Sequence, residues 1–341
     1  MSMKGSDLIV SAGPHGHSGS RITGVSYNFL LALLPAAAMG VYYYGLDAVR
    51  VITASIASAM IAEALIQKIL RKPISIADGS AAVSGFLLGL MFPASIPLYV
   101  VIVANFAGII VGKLCFGGLG AGPLNPALVG WAVIRVTKTW AGFLNFDLTL
   151  INYHTGFTLQ YPLAVLKARG PQALSDFGLW SLFLGRQTGG IGAAATICLL
   201  LGGLYLVIRG AVRWEIPLCF LLGIALVSGI FKLVNENAYA GPLFHMFTGN
   251  VMLGAFFLST DNSSAPVNRV GMVVFGLGCG AMTIILRVWS IYPDGVVFAC
   301  LFMSLFVPIL DKLKAKQQFP PVLRPTDLPP LSEPGGERTV S

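Results

Sequence analysis

The chain of 341 residues is 55% hydrophobic and 11% charged, with a mean hydropathy of +0.79. A soluble domain carries about 25% charged residues, so a water-soluble enzyme, a secreted disulfide scaffold and a disordered chain are excluded. The net charge of +8 is read against membrane topology before any polyanionic partner, and nucleic-acid binding is excluded with the soluble classes.

Residues 1–23 are polar and rich in Gly, Ser and His, without the apolar core of a cleavable signal peptide, so the first span is expected to act as the membrane signal itself. Long apolar segments, most of them able to span a bilayer, follow near Tyr27–Tyr44, Val49–Leu70, Pro97–Phe116, Gly189–Ile208, Ile216–Val234, Gly271–Val288 and Gly295–Leu310. Three more, Gly79–Phe92, Asn125–Val136 and Gly241–Leu258, are short or interrupted. These are expected to tilt or to finish their crossing in irregular chain buried within protein. The fold class is thus all-α and polytopic, with about ten transmembrane helices. With the N-terminus inside, 14 of the 22 basic residues fall on the cytoplasmic side, which places both termini there.

An internal repeat runs at a constant offset of 170 residues, pairing Gly79 with Gly249, Phe86 with Phe256, Leu88 with Leu258, Gly108 with Gly278 and Pro123 with Pro293. Five helices per copy is an odd number, so the halves are expected to be inverted, with broken half-helices in each. The resulting division is a cytoplasmic segment 1–23, a first repeat 24–136, an outside loop 137–188, a second repeat 189–315 and a disordered cytoplasmic tail 316–341.

Polar residues inside apolar helices are candidates for function. Asp78 and Asp294 each precede a glycine and open a helix, either as structural N-caps or as parts of a site between the repeats. Glu63 stands five residues before Lys68, suggesting a local pair near the cytoplasmic boundary or a proton or sodium role. His245 reads as a packed interior residue before Thr248-Gly249-Asn250; no second intramembrane histidine is evident to complete haem ligation. The five cysteines form no CxxC pair and read as small core residues. No metal ligands are assigned, and no nucleotide-binding motif occurs. The run Phe116–Gly130 carries Gly117, Gly118, Gly120 and Gly122 before Asn125-Pro126. Such a turn suits a planar or phosphate-bearing ligand, or is simply a tight turn.

Taken together, Asp78-Gly79-Ser80-Ala81, Gly117-Gly118-Leu119-Gly120 and Asn125-Pro126-Ala127 resemble the first half of the RnfD/NqrB family. The run Met252–Asp261 and Tyr292-Pro293-Asp294-Gly295-Val296 resemble its second half, and Pro14-His15 and Leu33-Leu34-Pro35 fit the RnfD pattern. The resemblance, over roughly residues 12–315, implies the RnfD member of an Rnf-type complex in the bacterial inner membrane. Such complexes pass electrons between ferredoxin and NAD through flavins, coupled to Na+ or H+ translocation, with RnfA, RnfB, RnfC, RnfE and RnfG as the partner subunits. The activity is that of the complex, and no catalytic residue is assigned to this chain. The resemblance also implies FMN joined by a phosphoester to a threonine in an outer-loop pattern Asp-x-x-Ser/Thr-x-Ala-Thr followed by Pro-Leu. Here that region reads Thr155 to Leu163, with Thr158 at the Ser/Thr position and Tyr161 in place of the acceptor. Covalent FMN is therefore expected to be absent or unconventional, leaving a non-covalent flavin such as riboflavin. Cofactor contacts are expected at Tyr161, Thr158, Gly118, Gly120, Asn125, Asp78, Thr248, Asp261 and Asp294. Two alternatives stand beside this reading: an inverted-repeat secondary transporter or channel for a small solute, and a scaffold without its redox group.

Overall fold

A computed structural model describes residues 22–72, 75–118, 122–141, 161–192, 195–236, 238–261 and 263–312. Fourteen α-helices and no strand occur among them. In the first half these are α1 (Ile22–Tyr44), α2 (Leu46–Ile69), α3 (Ser80–Met91), α4 (Leu98–Ile109), which continues as a π-helical turn over Ile110–Leu114, and α5 (Pro126–Ala141). Two short helices follow, α6 (Pro162–Arg169) and α7 (Leu179–Phe183), and then the apolar α8 (Thr196–Ile208). The second half continues with α9 (Glu215–Val234), α10 (Pro242–Phe247) and α11 (Val251–Leu253), which runs into a second π turn over Gly254–Leu258. It closes with α12 (Arg269–Trp289), α13 (Val296–Ser304) and α14 (Val307–Leu310). The protein is a polytopic membrane protein.

Four helices, α1, α2, α9 and α12, are long and apolar enough to cross a membrane. The remaining apolar helices are shorter than their apolar sequence suggests, and packing explains the shortfall. The apolar run from Gly189 becomes helical only at Thr196. Before it, Ile191 N donates to Phe92 O at 2.9 Å and Gly192 N to Leu90 O at 3.0 Å, so irregular chain satisfies the end of α3. Non-helical backbone is tolerated at membrane depth where it is buried in protein in this way.

Small residues at four-residue spacing bring the long helices together. A Cβ on Gly85 would stand 2.7 Å from Ser55 O, and one on Gly89 3.1 Å from Ser55 Cβ, which seats α3 against α2. In the other half a Cβ on Gly276 would stand 2.8 Å from Ile216 O, and one on Gly280 would strike Phe220 O, which seats α12 against α9. Between the halves, Trp131 of α5 meets Phe298 of α13 edge-on at 5.8 Å, and Phe29 of α1 meets Phe257 at 6.2 Å. One continuous core therefore contains residues of both halves.

Candidate functional site

Two polar clusters interrupt this apolar core. In the first, Gly79 adopts a left-handed φ of 75° and opens α3. Asp78 Oδ1 accepts from Ser80 N at 2.9 Å and from Ser80 Oγ at 2.7 Å, the N-terminal capping expected of a carboxylate there. Lys113 Nζ donates to the same Ser80 Oγ at 2.6 Å and to Glu63 Oε1 at 2.6 Å. Gln67 Nε2, at 2.9 Å, and Ser75 Oγ, at 3.1 Å, complete the shell of Glu63 Oε1, while the buried Glu63 Oε2 has no hydrogen-bond partner. The local Glu63–Lys68 pair suggested by sequence is therefore corrected: Lys68 is exposed, and the partner of Glu63 lies fifty residues away on the π turn.

That π turn explains how Lys113 comes to face Glu63. Ile102 faces outward, and eleven residues make about three turns of α-helix. An uninterrupted helix would aim Lys113 the same way. The wider turn at Ile110–Leu114 rotates it inward, leaving Lys113 5% exposed. Lys113, one of the 14 basic residues assigned to the cytoplasmic side, is part of a buried ion pair.

Beside this network is a cavity of about 370 Å3. Its walls come from α1 (Val25, Ser26, Phe29), α3 (Ser80, Val83, Ser84, Leu87), the glycine-rich turn (Gly118, Gly122), Asn125 and Pro126, and the second π turn with the loop after it (Phe257, Asp261, Ser263). Asn125 Oδ1 accepts from Ala127 N at 2.9 Å and its Nδ2 donates to Leu258 O at 3.3 Å, so it caps α5 and ties it to the other half. Asp261 Oδ2 accepts from Ser263 Oγ at 2.6 Å and Ser264 Oγ at 3.3 Å. The cavity thus gathers Gly118, Asn125 and Asp261 and reaches Asp78 through Ser80.

The second cluster surrounds Asp294 and Arg287, an ion pair at 3.2 Å with 5% and 2% of their side chains exposed. Asp294 Oδ2 accepts from both N and Nδ2 of Asn250 at 2.8 Å. Arg287 donates to His245 O and Thr248 O, each at 2.8 Å. His245 is buried here, and its ring is 3.4 Å from the guanidinium. Gly249 repeats the left-handed turn of Gly79 with φ 69°. A smaller cavity of about 110 Å3 is lined by Met91, Pro93, Trp131, Arg135, Tyr161, Gly189, Gly190, Asn250 and Asp294. Arg135 stacks over Trp131 at 4.9 Å. Tyr161 is half-buried at the start of α6, and burial, with the Asp294 carboxylate nearby, pushes its phenol well above the usual tyrosine range. The α6 helix is held here by Lys167, whose Nζ donates to the carbonyls of Arg287, Ser290 and Tyr292.

Tyr161, Thr248 and Asp294 therefore belong to this second cluster, and Gly118, Asn125, Asp261 and Asp78 to the first; Gly120 and Thr158 lie outside the described residues. Sequence reasoning missed Lys113, Ser80, Phe257, Arg135 and Arg287. The repeat carried a signal for one of the missing positions, since Ser80 and Asn250 stand at the same 170-residue offset as Gly79 and Gly249. Among the described residues, no group of three His, Cys, Asp or Glu side chains is arranged to hold a metal.

Comparison with known proteins agrees with this arrangement of motifs. The model of the NQR2, RnfD, RnfE family matches residues 9–320. The chain belongs to that family. Its relatives include the D subunit of the Na(+)-translocating ferredoxin:NAD(+) oxidoreductase complex of Acetobacterium woodii, 36% identical over 308 residues covering 90% of this chain and 93% of that protein. The D subunit of the proton-translocating ferredoxin:NAD(+) oxidoreductase complex of Clostridium ljungdahlii is 34% identical, covering 91% and 95%. Its counterpart in the ion-translocating oxidoreductase complex of Stutzerimonas stutzeri is 31% identical, covering 86% and 91%.

Proposed function

We propose that this family member is the D subunit of an Rnf-type complex in a bacterial cytoplasmic membrane, coupling electron transfer between ferredoxin and NAD to Na+ or H+ translocation. Its partners in this reading are RnfA, RnfB, RnfC, RnfE and RnfG. The observation that carries a redox role for this chain is the larger cavity, which joins the two halves with an aromatic wall and a polar rim. Its volume falls within the roughly 300–1,000 Å3 of small-ligand sites. The residues fit a flavin: Phe29 and Phe257, packed edge-on against each other, give an aromatic wall for a planar ring, Ser80, Ser84 and Asn125 offer hydrogen bonds, and Val83 and Leu87 exclude water. A flavin bound there supplies one- and two-electron transfer. Lys113 is the basic residue among the cavity's described lining, while Asp261 lines it and Glu63 and Asp78 stand behind it. The carboxylates among these described residues oppose a phosphate dianion and favour riboflavin over FMN.

The smaller cavity supports the absence of covalent FMN. The residue at the acceptor position is a phenol whose burial disfavours the anion that a phosphoester-forming oxygen would use. The two cavities also support the inverted repeat. Ser80, Asp261 and Ser263 of the larger one stand 170 residues from Asn250, Met91 and Pro93 of the smaller. In this reading the segments 24–136 and 189–315 are the repeats, 137–188 is the outside loop, and residues 1–23 and 316–341 are cytoplasmic.

The test is the flavin content of the purified complex. We expect yellow protein that releases riboflavin on denaturation, with this chain non-fluorescent on a denaturing gel and of unmodified intact mass. Ser84→Phe, which fills the larger cavity, should lower the flavin stoichiometry by one. A fluorescent chain overturns the non-covalent assignment. Wild-type complex whose flavin content is unchanged by Ser84→Phe overturns the cavity assignment, and the solute-transporter alternative then gains ground.

A further inference from the structure

The larger cavity is bordered by an electrostatic arrangement that its ligand-binding role does not require. Among the described residues, the carboxylates of Glu63, Asp78 and Asp261 stand around or behind it, and the ammonium of Lys113 lines it. Lys113 is fixed on two sides, by Glu63 Oε1 and Ser80 Oγ, each at 2.6 Å. It is present only because the π turn turns its side chain away from the outward face, a costly helix defect that recurs at functional positions. The same cavity is lined by Phe257 of the other π turn. The ammonium is not needed to bind a neutral planar ring.

Resting on the flavin reading above, we propose that Lys113 is the positioning residue that sets the redox preference of this cavity. A flavin held there that took up two electrons, supplied by the electron transfer proposed above, together with one proton would gain one negative charge. The Lys113 ammonium at the wall favours that charge, and the Glu63 carboxylate paired with it opposes it. Glu63 and Ser80 hold the ammonium at the wall, so Lys113 acts on the reduced ligand and leaves the neutral oxidised ligand nearly unaffected. Glu63 works in the opposite direction, because its carboxylate weakens the field that Lys113 presents to the cavity. Unit charges a few ångströms apart near protein change an equilibrium by about tenfold or more.

The experiment is an anaerobic spectroelectrochemical titration of the purified complex, following the flavin that Ser84→Phe removes. Lys113→Gln should lower the ratio of affinities for reduced over oxidised flavin by about tenfold, which for a two-electron couple is a fall of about 30 mV in midpoint potential. Glu63→Gln should move the midpoint upward, and Lys113→Arg should leave it near wild type. Oxidised flavin stoichiometry should stay at the wild-type value in Glu63→Gln, whose side chain stands behind the cavity wall. If Lys113→Gln does not assemble, the upward shift in Glu63→Gln carries the test alone. A midpoint unmoved by Glu63→Gln, with the flavin still bound, overturns the proposal. A complex from which Ser84→Phe removes no flavin overturns the flavin reading instead, so the two failures are distinguishable.

Discussion

Removing the guanidinium of Arg287 is the most severe single change the second cluster offers. The side chain is 2% exposed and pairs with Asp294 at 3.2 Å while donating to two backbone carbonyls at 2.8 Å. Arg287→Met keeps the apolar stem but leaves the Asp294 carboxylate without its counter-charge and the carbonyls of His245 and Thr248 without this donor. Breaking a buried pair from one side costs about 3–5 kcal/mol, most of it the stranded charge. Asp294→Asn strands the guanidinium instead and should cost a similar amount, since Asn250 alone then holds position 294. The double variant removes both charges, so its cost should fall short of the sum by about 2 kcal/mol. Thermal unfolding of the purified protein in detergent, followed by far-ultraviolet circular dichroism, should show each single variant melting on the order of ten degrees lower. Strict additivity of the two substitutions would refute the reasoning, because independent effects cannot share one stranded charge.

Gly249→Ala meets the same cluster through the backbone. At φ 69° a side chain is strained, and its Cβ would stand 2.8 Å from Leu163 Cδ1 and 2.9 Å from Asp294 Oδ2, so a loss above about 1 kcal/mol is expected in the same melt. Asn125→Ala removes the cap on Ala127 N and the bond to Leu258 O, and should cost about 1–2 kcal/mol while lowering flavin occupancy; unchanged occupancy would separate Asn125 from the ligand. The raised Tyr161 phenol gives a pH signature of definite sign. Its contribution is fully present below the unfolded tyrosine value of about 10 and is lost as pH rises above it, because the unfolded chain ionises there first. Between about pH 9 and 11 the melting temperature of wild type should therefore fall more steeply than that of Tyr161→Phe, and parallel slopes would count against a buried phenol.

Much of the architecture was legible in the amino-acid order. Hydropathy located the ten apolar segments, including the three short ones, because burial in lipid or core acts on every residue of a span. The 170-residue offset located Gly79 and Gly249, since a left-handed turn admits little besides glycine, and both positions adopt it. The capping carboxylates of Asp78 and Asp294 were legible for a similar reason, being local interactions within two residues. Partners distant in sequence were not. Glu63 pointed to Lys68 by proximity, but an α-helix continued by a π turn brings Lys113 to it instead, and no hydropathy pattern announces one extra residue in a turn.

Composition by itself determined that the protein lives in lipid and that its basic residues are few. It could not tell boundary charges from buried ones, and Lys113, 5% exposed, and Arg287, 6% exposed, were sorted only by the fold. The same holds for the cavities. Phe29 and Phe257, or Trp131 and Tyr161, are unremarkable aromatic residues along the chain and come to line one cavity only when helices of the two halves pack together. Local rules of hydropathy, capping and backbone conformation act over a few residues and can be read in order. Which charge neutralises which, and what space is left between them, depends on contacts between residues far apart in the chain, as in the bond from Asn125 to Leu258.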